Sequence, residues 1–167
     1  MGVVNLARVD ERLIHGQVML TLSQKSGVNS IFVVDDVVAK DKFMKDLYKS
    51  AGSRTGKKTI VMTTEKCKYY WDEFKFKEYN CIIVTKTIDT VYELVKHGIP
   101  MTDVNIGGIA QKNPDKDILV TKSVYTNKED ALKLKELKDN YGVENIYFQA
   151  TPAASSTSLE TVLTKFD

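Results

Sequence analysis

Apolar residues fall along the chain in two alternating rhythms. Short apolar runs over Val3–Val9 and residues 30–35, 59–62, 81–84, 104–106 and 145–149 read as strands, and the continuous run over 30–35 is of the kind buried on both faces. Between them the apolar positions return at helical spacing. Val18, Met19, Leu20 and Leu22 predict a helix over 17–26 that Gly27 ends, and Phe43, Met44, Leu47, Tyr48 and Ala51 predict another closed by Gly52. The same rhythm predicts a helix over 65–77, crowded with Tyr69, Tyr70, Trp71, Phe74 and Phe76, whose rings read as core and interface packing rather than as a stacking platform for nucleic acid or sugar. A further helix spans 89–96, with His97 and Gly98 as its ordinary C-terminal signals. Asn127 with Glu129 and Asp130 starts one that runs to Gly142, and Ser155 to Ser158 offer caps for a last one through Leu159, Val162 and Leu163. Residues 118–120 read as a short edge strand after a loop over 111–117.

Strands alternating with helices imply right-handed crossovers. The expected fold class is α/β: a single domain over residues 1–167, built on a doubly wound, mainly parallel, open twisted sheet with helices on both faces. No repeat, low-complexity tract or linker divides the chain.

Such a sheet gathers the carboxyl ends of its strands on one rim, where open α/β folds bind ligands. On that rim the stretch Arg8-Val9-Asp10-Glu11-Arg12-Leu13-Ile14-His15-Gly16-Gln17-Val18 stands out, because Asp10, Arg12 and His15 fall within six residues between the first strand and the first helix. Histidine is a nucleophile when neutral, and its ordinary pKa keeps a neutral fraction available in the cell. His15 at the start of a helix would meet free N–H groups and a dipole that favour an anion. Arg12 offers a charged fork that matches phosphate oxygens, and Asp10 is placed to accept an N–H from the imidazole and hold its tautomer. Gly16 lets a backbone or ligand approach closely. Taken alone, these residues also fit an ordinary turn with a solvated arginine.

Further candidates on the rim are Asp35 and Asp36, placed to bond loop backbone or to pair with Arg12, and the pair Gly107-Gly108. The glycines would present backbone N–H groups to phosphate oxygens, leave room for a partner's side chain, or form no more than a turn. Composition narrows the classes. Lys and Arg number 24 against 22 Asp and Glu, a charge of +2 too balanced to argue for nucleic acid. No apolar run reaches the ~18 residues of a membrane span and no signal peptide precedes the first strand, so a cytoplasmic protein is expected. Cys67 and Cys81 fit no metal spacing and read as reduced structural thiols. No glycine-rich nucleotide fingerprint follows a strand, which argues against a flavin or nucleotide domain.

The Asp10-x-Arg12-Leu13-Ile14-His15-Gly16-Gln17-Val18 run resembles the signature of the IIB component of the mannose/fructose/sorbose family of the phosphoenolpyruvate-dependent sugar phosphotransferase system. Asp103-Val104-Asn105-Ile106-Gly107-Gly108-Ile109 resembles that family's glycine pair, and Val33-Val34-Asp35-Asp36 also stands in the expected place. The resemblance covers nearly the whole chain. It implies a cytoplasmic phosphoryl carrier, a protein-Nπ-phosphohistidine–sugar phosphotransferase. The histidine matching His15 would take a phosphoryl group from a IIA partner and pass it to a sugar during uptake through IIC and IID membrane partners, with the arginine matching Arg12 assisting. It also implies that the chain is held at the membrane only through those partners, with no cofactor and no metal. A regulatory or scaffolding relative is the other reading, against which the intact Asp10, Arg12 and His15 argue. The helix after His15 reads Met19-Leu20-Thr21-Leu22 where many members have a tryptophan, and sugar choice belongs mostly to the membrane components.

Overall fold

Valine, isoleucine and phenylalanine dominate the continuous apolar runs, and such side chains suit a pleated surface covered on both sides. A computed structural model describes residues 1–167. Its strands are β1 (Val3–Val9), β2 (Ser30–Val34), β3 (Lys58–Met62), β4 (Asn80–Thr85), β5 (Asp103–Ile106), β6 (Ile118–Thr121), β7 (Val124–Thr126), β8 (Asn145–Phe148) and β9 (Thr157–Ser158). Its helices are α1 (Gly16–Ser23), α2 (Asp36–Lys40), α3 (Lys42–Ser53), α4 (Thr64–Phe74), α5 (Ile88–His97), α6 (Lys128–Asn140) and α7 (Leu159–Thr164).

Seven strands bond in the order β3-β2-β4-β1-β5-β8-β9, parallel at every pair except β8 with β9. Leu6, Ile31, Val33, Ile82 and Val84 pack on one side with Val18, Met19 and Leu22 of α1, and with partly buried Met44 and Tyr48 of α3. Ala7, Val9, Phe32, Val34, Ile83 and Val104 pack on the other with Trp71 of α4, Leu94 of α5, Leu134 of α6 and Val162 of α7. This is the doubly wound α/β sheet that the alternation implies. After β1 the chain crosses to β2 and β3, and after β4 it crosses back past β1 to β5. The order therefore reverses at β1, whose carboxyl end opens at the switch point.

Two local expectations change, and three short elements are added. The helix predicted over 65–77 stops at Phe74, because Lys75, Phe76 and Lys77 adopt left-handed φ values of 47°, 58° and 46°. That unfavourable backbone turns Phe76 inward, where its ring lies 5.1 Å from both Phe32 and Trp71. Residues 118–120 are not an edge of the main sheet: β6 pairs antiparallel with β7 in a separate two-stranded sheet, around a turn with Ser123 at φ 63°. Lastly, β7, β9 and α2 are too short to show a period in sequence. His97 ends α5 ahead of Gly98 (φ 113°) and pairs with Asp72 at 2.9 Å. Cys67 and Cys81 are free and buried, and burial pushes the Cys67 thiol up to about 12.

The α3–β3 contact is close enough to exclude a side chain at Gly52. A Cβ there would lie 2.7 Å from the Cβ of Thr59, an atom that rotating the threonine cannot move. Gly52→Ala is expected to destabilise the fold by about 1–3 kcal/mol, the usual range for overpacking, measured as a lower urea midpoint.

Candidate functional site

A charged residue in a central strand must find its partners inside the protein. Arg8 occupies such a position on β1, opposite Asn105 of β5 and only 1% exposed. One guanidinium nitrogen, Nη1, donates to Asn105 Oδ1. The other, Nη2, donates to Asp10 Oδ2 at 2.9 Å and to the Ala150 carbonyl at 2.7 Å. Gly107 follows β5 at the point where Arg8 passes, and a Cβ there would stand 2.6 Å from Arg8 Cζ. The glycine is therefore room for a buried arginine. Its N–H is already given to the Val9 carbonyl at 2.6 Å, so it offers nothing to a phosphate.

Asp10 lies just past β1, wholly buried, and its two oxygens collect the site. Oδ2 meets Arg8 Nη2 and His15 Nε2, each at 2.9 Å. Oδ1 accepts the Arg12 backbone N–H at 3.0 Å and, more weakly, Arg12 Nε at 3.4 Å. Burial by itself would raise the Asp10 pKa, but the backbone bond from Arg12, the contact with His15 and the charge of Arg8 together hold it below the usual carboxylate range. Burial lowers the Arg8 pKa from its ordinary value, which the charge of Asp10 and the hydrogen bond to it oppose.

The loop carrying these groups is tied down on three sides. The Asp10 N–H donates to the Thr85 carbonyl at the end of β4, and the Glu11 N–H to the Gly108 carbonyl after β5, both at 2.9 Å. Glu11 pairs with Lys112 and accepts the Ala110 N–H at 2.7 Å. Leu13 takes a left-handed φ of 57° and is buried against the α1 layer. The turn delivers His15, 22% exposed at its side chain, to the N-cap of α1. Its ring goes to Asp10 and makes no cap bond, and Gly16 enters the helix at φ 47°. The first N–H groups of α1 thus have no side-chain cap beside the imidazole, as an anion-favouring helix start requires. Gly108 passes Asp10 and Arg12, where a Cβ would sit 3.0 Å from Asp10 Oδ1 and 3.2 Å from Arg12 Nη2.

Asp10, Arg12, His15, Gly16, Gly107 and Gly108 thus come together. Asp35 does not pair with Arg12: its carboxylate accepts the Val38 N–H at 3.0 Å and caps α2, while Asp36 accepts the Thr64 N–H at 2.8 Å. Both acids accept backbone N–H groups from the first turns of helices, Val38 in α2 and Thr64 at the start of α4. Arg8, Asn105 and the Ala150 carbonyl are the members that reading residue types along the loop leaves out. Their signal is an arginine inside a run otherwise apolar enough to be buried on both faces. No group of three or more His, Cys, Asp or Glu is placed to hold a metal ion, and no helix is long and apolar enough to cross a membrane.

A family model described as PTS system sorbose subfamily IIB component matches residues 4–167. The sorbose-specific EIIB component of Lacticaseibacillus casei is 33% identical over 135 residues, covering 81% of this chain and 80% of the relative. The N-acetylgalactosamine-specific phosphotransferase enzyme IIB component 1 of Escherichia coli K12 is 33% identical over 147 residues, covering 88% and 90%. Among solved structures, manxB from Thermoanaerobacter tengcongensis superposes with a TM-score of 0.89 at 34% identity, covering 99% of this chain and 98% of that one.

The buried pair yields a stability test. Asp10→Asn leaves Arg8 charged without its counter-ion and is expected to cost about 3–5 kcal/mol in urea unfolding. The Asp10 pKa is depressed in the fold, so its stabilisation is fully present above its ordinary value of 3.8 and is lost as pH falls below that towards the folded value. Wild-type stability measured between pH 5 and 2 should therefore show an acid limb that is smaller in Asp10→Asn.

Proposed function

The chain belongs to the sorbose-subfamily IIB components of the sugar phosphotransferase system, and from that premise we propose that His15 carries the phosphoryl group on Nδ1. The observation that carries this reading is the 2.9 Å contact between His15 Nε2 and a buried Asp10 that is already paired with Arg8. An ionised carboxylate only accepts, so Nε2 holds the proton and the Nδ1 lone pair is the nucleophile. As Nδ1 bonds to phosphorus the ring gains positive charge, which the adjacent carboxylate stabilises.

The relay has two half-reactions. In the first, Nδ1 attacks the phosphorus of a phosphohistidine on a IIA partner, the donor's P–N bond breaks, and the electron pair stays on the donor ring. In the second, a sugar hydroxyl presented by IIC and IID membrane partners attacks the same phosphorus, and the P–Nδ1 bond breaks with its electron pair returning to the His15 ring. The hydroxyl proton passes to a base on the sugar-binding partner or to solvent. The chain is held at the membrane through those partners. Arg12 suits both steps: its backbone N–H and Nε touch Asp10, while its side chain is 56% exposed and free to meet oxygens arriving from either partner. Gly108 keeps that approach open, and the uncapped start of α1 with Gly16 favours the added negative charge. Asp35 is committed to capping α2 and has no direct part in the relay. The relatives named above bear two different sugar names at equal identity, in keeping with a shallow rim that leaves sugar choice to the membrane partners.

Incubating the chain with phosphoenolpyruvate, the general phosphotransferase proteins and a IIA donor should add one acid-labile phosphoryl group by intact mass. His15→Ala should add none, and a phosphorylated His15→Ala would remove His15 from the relay. Arg12→Ala should still accept the group but pass it to sugar about 10²–10³-fold more slowly, the usual loss for a donor aimed at transferring charge. Sugar phosphorylation at the wild-type rate in that variant would dismiss the role given to Arg12.

A further inference from the structure

One surface away from the phosphoryl site combines three unusual features. β3 is the outer strand of the sheet and pairs only with β2, so its far edge is open. A groove of about 530 Å³ runs along that edge, with Ile60, Met62, Tyr69 and Phe74 among its walls and Lys45 and Lys66 at its sides. Tyr69 and Phe74 are 51% and 43% exposed, large for aromatic rings. An open strand edge beside apolar pockets is how extended peptides are added to a sheet.

Charge says which peptide. Residues 40–77 carry 11 Lys and Arg against 5 Asp and Glu, whereas the rest of the chain carries 13 against 17. The pairing differs as well. Lys96, Lys133, Lys135 and Lys138 on the α5–α6 side each have a carboxylate partner within 4 Å. Lys45 and Lys66 at the groove make no ion pair; nor do Lys57 and Lys58, where the chain enters β3. Lys66 instead lies 5.4 Å over the Tyr69 ring, its charge held at the groove wall. A basic, unneutralised rim around an apolar floor selects an acidic segment with apolar side chains at alternate positions.

Position says where that segment comes from. The groove reaches Met62 and Thr63 at the carboxyl end of β3, so it opens towards the same rim as His15. In the order β3-β2-β4-β1 it stands three strand spacings away, roughly 14 Å. A segment seated there holds the molecule by its edge and leaves His15 uncovered. This suits the partner that stays while the phosphoryl donor comes and goes, because a lasting hold raises the local concentration of the carrier without blocking its exchange. We propose that the β3 edge, with Lys45, Lys66 and Tyr69, binds an acidic extended segment on the cytoplasmic side of the membrane-embedded sugar partner. The inference rests on the carrier reading and adds the surface by which the carrier is retained.

The test uses the full chain phosphorylated on His15 and membranes containing the IIC and IID partners. The rate of sugar phosphorylation is followed against carrier concentration for wild type and for Lys45→Glu with Lys66→Glu. The expected result is a half-saturating concentration at least about tenfold higher in the double variant, with an unchanged maximal rate and unchanged phosphorylation by the IIA donor. Neither lysine is buried, and normal phosphorylation by the donor reports that the fold is intact. Tyr69→Ala should raise the half-saturating concentration in the same direction. Equal saturation curves for wild type and the charge-reversed variant would overturn the proposal. So would slower phosphorylation by the donor alone, which would give the groove to IIA, and so would equal retention on anionic vesicles lacking IIC and IID, which would make it a lipid-binding face. Failure of the wild type to take up any phosphoryl group would overturn the carrier reading itself, and intact mass shows that before any saturation curve is drawn.

Discussion

The buried ion pair between Arg8 and Asp10 is the constraint on which the rest of the site depends. A guanidinium inside a central parallel strand has no water to solvate it, so neighbours from several elements are recruited to its two terminal nitrogens. Asn105 supplies an amide oxygen from β5, the chain after β8 supplies a carbonyl, and Gly107 gives up a side chain to let the group pass. Such a pair contributes little net stability over well-packed apolar residues. Its use is orientation: it fixes one carboxylate from beneath, and that carboxylate in turn sets the tautomer of His15 and the path of the Arg12 backbone.

Above that rigid floor the site is loose. Arg12 reaches into solvent, His15 is partly exposed, and the start of α1 has no capping side chain. Rigidity beneath and openness above suit the proposed relay, in which one group meets two different partners in turn. An enclosed cavity would serve one substrate well and exclude the second reactant. In the proposed relay the accepting nitrogen needs only correct protonation and a clear in-line approach, because phosphoryl transfer depends mainly on positioning and charge stabilisation.

The charge distribution adds a second organising feature. The near-neutral total hides a basic block over residues 40–77 and an acidic remainder. On the α5–α6 side Lys96, Lys133, Lys135 and Lys138 are met by carboxylates, while Lys45, Lys57, Lys58 and Lys66 around β3 have no such partner. An edge strand that keeps an apolar groove with uncompensated charge resists pairing with its own copies through repulsion and still accepts a segment of opposite sign.

Much of this was legible in the chain before folding was considered. The alternation of continuous apolar runs with helical spacing determined the layered α/β class, because burial on both faces of a sheet demands it. The Asp10 to Val18 stretch singled out His15, Arg12 and Asp10, since nucleophile, charge and orienting acid lie within one loop and need no distant contact to be noticed. What the sequence could not determine depended on pairs far apart in the chain. That Arg8 is a buried member of the site rests on its register with Asn105, 97 residues away. That Gly107 serves the arginine's bulk, that Asp35 caps α2, and that Phe76 turns back into the core beside Phe32 were likewise decided by tertiary packing. Local pattern states what each segment prefers; only the folded sheet brings together the groups that must satisfy one another once water is gone.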